Sequence, residues 1–241
     1  MSIPSGGSAQ PVQWPSYPHE VLAVVLSVRE PGLCVLLWRR RQSPHRGRWA
    51  LPGGGLRPDE RLRDAIRRQL AEKVDVREVA HLEQLATHSI VNRDPRGRVL
   101  ATAYLGLVPA HVEPELPPDT AWHPVADQPI TAFDHRYFID AAVGRLRAKL
   151  SYTNIGFALA PPTFTISELR DIVSAALGYQ IASTNLTRVL TRRQMIEPTS
   201  GRARPGSAGG RPAQVYRFVT RELTITDPFA VLKPPSATGA G

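Results

Sequence analysis

Gly53-Gly54-Gly55 runs, six residues on, into a segment whose apolar residues Leu62, Ile66 and Leu70 recur every four positions. This junction constrains the chain more than any other stretch of it. Glycine backbone turns tightly and tolerates close approach, and a spacing of four lays a core-facing stripe along a helix. The pattern predicts a glycine turn delivering the chain into a helix from about Asp59 to Lys73. A helix N terminus presents unpaired amides and a positive dipole end, so such a junction suits an anionic, phosphate-bearing ligand. Upstream, Val21 to Val28 and Leu33 to Trp38 are nearly continuous apolar runs parted by Glu30-Pro31-Gly32. Each has the character of a strand buried on both faces, in a sheet sandwiched between helices. Val79 to Ser89 and Val99 to Val108 are further strand patterns. A second helix is expected from Asp134 to about Leu150, with Phe138, Ala141, Ala142, Leu146 and Leu150 on its inner side.

Charge divides the chain. Of the net +9, residues 1–144 contribute +1 and residues 145–228 contribute +7, with Lys233 adding the last unit. The excess points to a polyanionic partner for the C-terminal third alone. There Thr165-Ile166-Ser167-Glu168 has the form of a capping box, and the helix it opens is closed by Gly178. A short turn follows, then a second helix from Ser183 or Thr184 to about Gln194. Leu186, Val189 and Leu190 form its inner side, while Thr184, Asn185, Thr187, Arg188, Thr191 and Arg192 lie outward, with Arg193 also assigned to the DNA-facing set. Two short helices around a tight turn, the second exposing Asn, Thr and Arg, look like a helix-turn-helix with its recognition helix. Arg and Asn pair in bidentate fashion with guanine and adenine in the major groove. The basic loop Pro198 to Pro212 and the strand-like Ala213 to Phe218 have the makings of a wing, its Arg202, Arg204 and Arg211 placed to touch phosphates.

The single cysteine, Cys34, sits inside an apolar run, which excludes an intramolecular disulfide framework and fits a reducing cytosol. Residues 1–20 lack the basic start and apolar core of a signal peptide. No apolar run approaches membrane-spanning length.

The stretch from Gly54 to Val76 resembles the Nudix box, G-x5-E-x7-R-E-U-x-E-E-x-G-U with U aliphatic. Gly54, Glu60, Arg68, Leu70, Glu72 and Val76 fall on it in register, whereas Gln69 and Lys73 replace glutamates and Asp75 replaces the glycine. Positions 69, 72 and 73 share one helical face. In an active Nudix enzyme all three are carboxylates holding Mg²⁺ or Mn²⁺ against a pyrophosphate. Here their formal charges are 0, −1 and +1. A lysine ammonium has no acceptor to offer a cation, and two unit charges about 4 Å apart interact by roughly 4 kcal/mol at an effective dielectric near 20. Metal-dependent hydrolysis is therefore not expected.

With Phe133-Asp134-His135, the segment Arg145 to Thr153, Phe164 to Leu169, Gly210-Arg211-Pro212-Ala213 and Val215 to Phe218, the chain resembles the Nudix-related transcriptional regulators that repress NAD-biosynthesis genes in bacteria. The resemblance implies an α/β/α Nudix sandwich with a mixed sheet over residues 20–145 and a winged helix-turn-helix over 146–228, flanked by a flexible arm at 1–19 and a tail at 229–241. It implies a cytoplasmic, nucleoid-associated homodimer on a palindromic double-stranded operator, with no membrane association and no required cofactor. ADP-ribose or a related NAD metabolite would be the releasing effector, held by Arg39, Arg48, Gly54, Gly55, Glu60, Arg68 and Glu72. Asn92 to Arg98 also resembles the Arg-Asp-Pro-Arg-Gly segment of Nudix proteins acting on ADP-ribose. Two alternatives stay open: a pyrophosphohydrolase using Glu60, Glu72 and outside ligands, and an RNA-binding Nudix relative.

Overall fold

A computed structural model describes residues 15–203 and 212–228. Among them, seven strands build the main sheet: β1 His19–Arg29, β2 Gly32–Arg39, β3 Trp49–Ala50, β4 Gly53–Gly55, β5 His81–His88, β6 Leu100–Leu107 and β7 Thr120–Pro124. The central path runs β3-β2-β1-β6-β5, with β4 paired to β1 and β7 to β2. β1 and β6 are parallel and the remaining pairs antiparallel, so the sheet is mixed as expected. Val21 to Leu26 and Leu33 to Leu37 are buried throughout. The reason is that α1 (Leu62–Val74) covers one face through Ile66, Leu70 and Val74, while α2 (His135–Tyr152) covers the other through Phe138, Ile139, Ala142 and Leu146.

α1 opens at Leu62 rather than Asp59. The Glu60 carboxylate accepts the Arg57 amide at 2.8 Å and also binds Arg68, which holds residues 57–60 in a turn ahead of the helix. At its other end Asp75 adopts left-handed backbone, φ 52° and ψ 29°. Aspartate tolerates this region better than most side chains, so the helix stops where a glycine is expected to stop it. Gly53–Gly55 is a strand rather than a turn. It lies so close against β1 that a Cβ on Gly53 would stand 2.2 Å from the Val21 carbonyl, and one on Gly54 would meet the Gln69 side chain at 2.6 Å.

Beyond α2 come α3 (Ile166–Leu177), α4 (Ser183–Arg192) and a three-stranded sheet of order β8-β10-β9, from β8 Phe164–Thr165, β9 Ile196–Arg202 and β10 Gln214–Phe218. The capping box is present, with the Glu168 amide donating to Thr165 Oγ1 at 3.2 Å and the Thr165 amide to Glu168 Oε2 at 2.7 Å. Gly178, φ 83°, closes α3. The stretch expected to be loop from Pro198 contains most of β9, despite its proline, threonine, serine and glycine, because β10 pairs with it across the wing. Proline and glycine are poor signals for an edge strand stabilised by its partner.

The two halves share a core. One apolar cluster passes from Leu22, Val24 and Leu105 through Phe138 and Leu146 to Phe157, Phe164, Leu169, Leu190 and Phe218. α2 therefore belongs to both halves, and the boundary placed at 145 cuts through it. Residues 1–14 of the expected arm and the expected tail 229–241 lie outside the described residues.

Candidate functional site

The first candidate site forms where β4 passes under α1. Arg68 is its hub: Nε donates to Glu60 Oε2 at 3.0 Å, Nη2 also binds Glu60, Nη1 donates to Glu72 Oε2 at 3.3 Å, and Nη2 reaches the Gly55 carbonyl at 3.3 Å. The Arg68 hydrogen bonds, with help from the Arg57 amide, hold the Glu60 carboxyl at about 2, well below the usual range. Glu60 is thus a fixed anion that orients Arg68.

The two side chains that replace glutamates converge on one atom. Lys73 donates its ammonium to the Gly53 carbonyl while lying 4.7 Å above the Trp38 ring. In the orientation that satisfies the Gln69 amide, its nitrogen donates to the same carbonyl at 3.1 Å and its oxygen accepts Arg68 Nη1 at 3.0 Å. Burial, then the nearby Arg40, lowers the Lys73 pKa from its ordinary value. Glu72, half exposed, faces Arg68 and Arg57. This donor set does not fit a divalent ion. An ammonium and an amide nitrogen stand where oxygen ligands are required, and no group of three or more His, Cys, Asp or Glu among the described residues is placed to hold a metal.

Next to Gly55 opens a cleft of about 340 Å³ lined by Pro18, His19, Glu20, Gly55 and Arg96 to Val99. Arg40, half buried, lies 4.7 Å over the Phe133 ring, and Arg96 lies 5.9 Å from the same ring. Phe133 holds this place with φ 50°, a left-handed backbone that a bulky side chain rarely adopts. Of the residues expected to bind effector, Gly54, Gly55, Glu60, Arg68 and Glu72 are brought together. Arg39 is not: it stacks on Trp49 at 4.7 Å, on the α2 side of the sheet. Side chains alternate along a strand, so Trp38 and Arg40 share one side and Arg39 takes the other. That alternation was available in the sequence and singles out Arg40 within Arg39-Arg40-Arg41. Arg48 is exposed in its loop.

The 92–98 loop also does more than join strands. Arg93, its side chain 1% exposed, donates Nη1 to Glu20 Oε1 at 2.6 Å, Nη2 to Asp134 Oδ1 at 2.7 Å and Nε to Asp134 Oδ2 at 3.1 Å. His88 Nδ1 is 3.1 Å from Asp134 Oδ2. Burial alone would raise the Asp134 carboxyl, but the bonds from Arg93 and His88 outweigh it and hold it low. Asp134 is the residue that leads into α2. Beside it His135 is fully buried, its pKa pushed down to about 3 by burial, so its neutral Nδ1 accepts the Leu51 amide at 2.9 Å.

The second candidate site is α4 with its wing. Leu186 and Leu190 are buried, whereas Thr184, Asn185, Arg188, Thr191 and Arg192 are exposed along one side. Arg188 Nη2 donates to Asn185 Oδ1 at 2.9 Å, and Thr187 folds its hydroxyl back onto the Ser183 carbonyl at 2.8 Å. Arg202 is exposed at the end of β9; Arg204 and Arg211 lie outside the described residues. Arg193 departs from expectation. Its side chain is 11% exposed, Nη1 donating to the Ser151 carbonyl at 2.9 Å and Nη2 to Asp227 Oδ2 at 2.8 Å. At the opposite end of the helix pair, Arg147 of α2 donates Nε to the Ala176 carbonyl at 3.3 Å, and buried Ser174 accepts the Ile181 amide at 3.2 Å. α4 is thereby tied to α2 directly just past its C-terminal end, and at its start only through α3.

A mixed sheet between two helices, with a box-bearing helix over a glycine strand and a winged helix packed behind, defines a Nudix-domain protein fused to a DNA-binding head. The family model of the NUDIX domain matches residues 17–142, and that of the NrtR DNA-binding winged helix domain matches 156–218. The chain is 33% identical over 224 residues to the ADPR responsive transcriptional repressor NtrR of Acinetobacter baylyi, covering 88% of this chain and 87% of the relative. It is similar to Shewanella oneidensis NrtR, with TM-score 0.72 and 33% identity over 83% of this chain and 93% of that one. The same protein complexed with a 27mer DNA matches with TM-score 0.70 and 33% identity, over 83% and 92% of the two chains. The chain belongs to the NrtR family of Nudix-related transcriptional regulators.

Proposed function

We propose that this protein is a transcriptional repressor of NAD-biosynthesis genes that leaves its operator when ADP-ribose, or a related NAD metabolite, occupies the Nudix domain. The observation that carries the reading is one continuous molecule: an anion-suited cleft beside Gly55, a single helix α2 in contact with both halves, and an exposed Asn/Thr/Arg face on α4. The relative from A. baylyi is named for responding to ADPR, and the S. oneidensis relative has been solved on DNA. Asn185 and Arg188, flanked by Thr184, Thr187 and Arg192, face the bases, and Arg202 with Arg204 and Arg211 the phosphates. The protein binds as a homodimer, each copy presenting one α4 to half of a palindrome. Hydrolysis is not its task, because Gln69 and Lys73 remove the ligands a catalytic cation needs.

Arg93 supplies the route between the sites. It joins Glu20, which lines the cleft, to Asp134 at the head of α2, while Arg147 joins α2 to α3 and Arg193 joins α2 to the end of the recognition helix. A ligand that displaces Arg96 or Glu20 changes what Arg93 holds, and α2 carries the change to the spacing of the paired recognition helices. Such coupling requires the ligand to bind the DNA-free arrangement more tightly than the DNA-bound one.

A gel-shift titration on a promoter fragment of an NAD-synthesis gene, with and without ADP-ribose, tests the reading. Retardation that ADP-ribose reverses is expected. No retardation, together with turnover of ADP-ribose at ordinary enzyme rates in Mg²⁺ or Mn²⁺, would replace the repressor with a pyrophosphohydrolase.

A further inference from the structure

We infer that Lys73 is a tethered cation standing in for the divalent ion of a Nudix site, so that a nucleoside-diphosphate ester binds here by its pyrophosphate without any metal. The inference rests on the effector reading above and specifies how that effector is held. Three observations carry it.

The first is convergence. Gln69 and Lys73 occupy two positions of the metal-ligand face, and both donate to the single Gly53 carbonyl. A backbone carbonyl facing a ring of carboxylates is itself a ligand for a hard cation. Here that carbonyl already has its positive partner, delivered by the chain.

The second is that the ammonium has no direct ion pair. Among the described residues no carboxylate lies within ion-pair distance of Lys73 or of Arg40, whereas Arg68 is paired with Glu60 and Arg96 with Asp94. Glu20 and Glu72 act on Lys73 only from beyond ion-pair distance, so this partly buried ammonium, with no carboxylate in contact, is stabilised by an anionic ligand, and Arg40 adds to the same field. An intact triad of carboxylates repels a pyrophosphate until a cation is bound. The present set of Gln69, Glu72 and Lys73 sums to zero and makes no such demand.

The third is rigidity. The ammonium is fixed between the Gly53 carbonyl and the Trp38 ring, whose indole donates Nε1 to the Leu51 carbonyl at 3.1 Å. A flexible lysine would lose rotamer freedom on binding, while one already held in place loses little.

Isothermal titration of the full-length protein with ADP-ribose, once in EDTA and once in Mg²⁺, tests this directly. The same dissociation constant within about twofold is expected in both. Lys73→Met, which keeps the stem and removes the charge, should weaken binding by roughly 10- to 100-fold, with no recovery on adding Mg²⁺. Lys73→Arg should retain most of the affinity, and Lys73→Glu should make binding dependent on Mg²⁺. Binding of the wild-type protein that vanishes in EDTA overturns the inference while leaving the effector reading intact, as does wild-type affinity in a folded Lys73→Met protein. Absence of binding in both buffers overturns the effector reading and the inference with it. The EDTA arm uses unaltered protein, so it holds even where a variant misfolds.

Discussion

Arg188 and Arg193 are five residues apart in one basic stretch, yet they face different things. Arg188 lies on the exposed side of α4, steadied by Asn185 at 2.9 Å, whereas Arg193 is drawn inward by Asp227 and the Ser151 carbonyl. Arg188→Ala should weaken operator binding by roughly 10- to 100-fold while changing binding to unrelated DNA only a few-fold. Arg193→Ala should instead lower stability by about 2 kcal/mol, the scale of lost charged hydrogen bonds, and reduce affinity for both DNAs alike. Competition gel shifts and denaturant melts separate the two. Equal loss on both DNAs for Arg188→Ala would reassign it to phosphate contact. Sequence placed both arginines near DNA because charge is visible there. Which of them has an acid waiting 34 residues downstream is not.

In the proposed mechanism, α2 is the element that carries regulation. Its head is set by Asp134 and Arg93, its middle grips the end of α3 through Arg147, and its last turn takes Arg193. Asp134→Asn keeps an acceptor for Arg93 but removes the charge. ADP-ribose should still bind this variant, and release from DNA should need about tenfold more of it, within the usual span of coupling energies. Paired titrations of binding and release measure this, and unchanged release would exclude the Arg93–Asp134 contact as the route. The pH dependence has a definite sign. The Asp134 carboxyl is held below its ordinary 3.8 in the folded protein, so its contribution to stability is complete above that pH and is lost as pH falls through the lowered value. Asp134→Asn should be less sensitive to acid over that window. Helical periodicity made α2 legible from Asp134 to Leu150. Its partnership with a loop arginine 41 residues upstream was not, because ion pairs between distant segments leave no local pattern.

For the whole molecule, the continuous core makes two recognisable domains one folding body. Leu146 is fully buried in the cluster that reaches from the sheet to Phe218. Leu146→Ala should cost about 2–5 kcal/mol, and both halves should feel it. The tryptophans among the described residues, Trp38, Trp49 and Trp122, lie in the Nudix half, so their fluorescence follows that half while amide exchange in α3 follows the other. Coincident unfolding is expected, and separated transitions would show the shared core to be a contact between independent units. The sequence by itself determined the buried strands, the two Nudix helices, the capping box, the recognition helix and the replacement of two metal ligands, since each is written in local spacing or in a contiguous motif. Only the tertiary structure decided that Gly53–Gly55 is a strand, that Arg40 and Arg96 meet on the Phe133 ring, that Arg93 and Arg193 are internal ties, and that Gln69 and Lys73 meet on one carbonyl. Those outcomes depend on which surfaces come together once the sheet, α1 and α2 have packed, and the strength of each contact comes from the burial that packing creates.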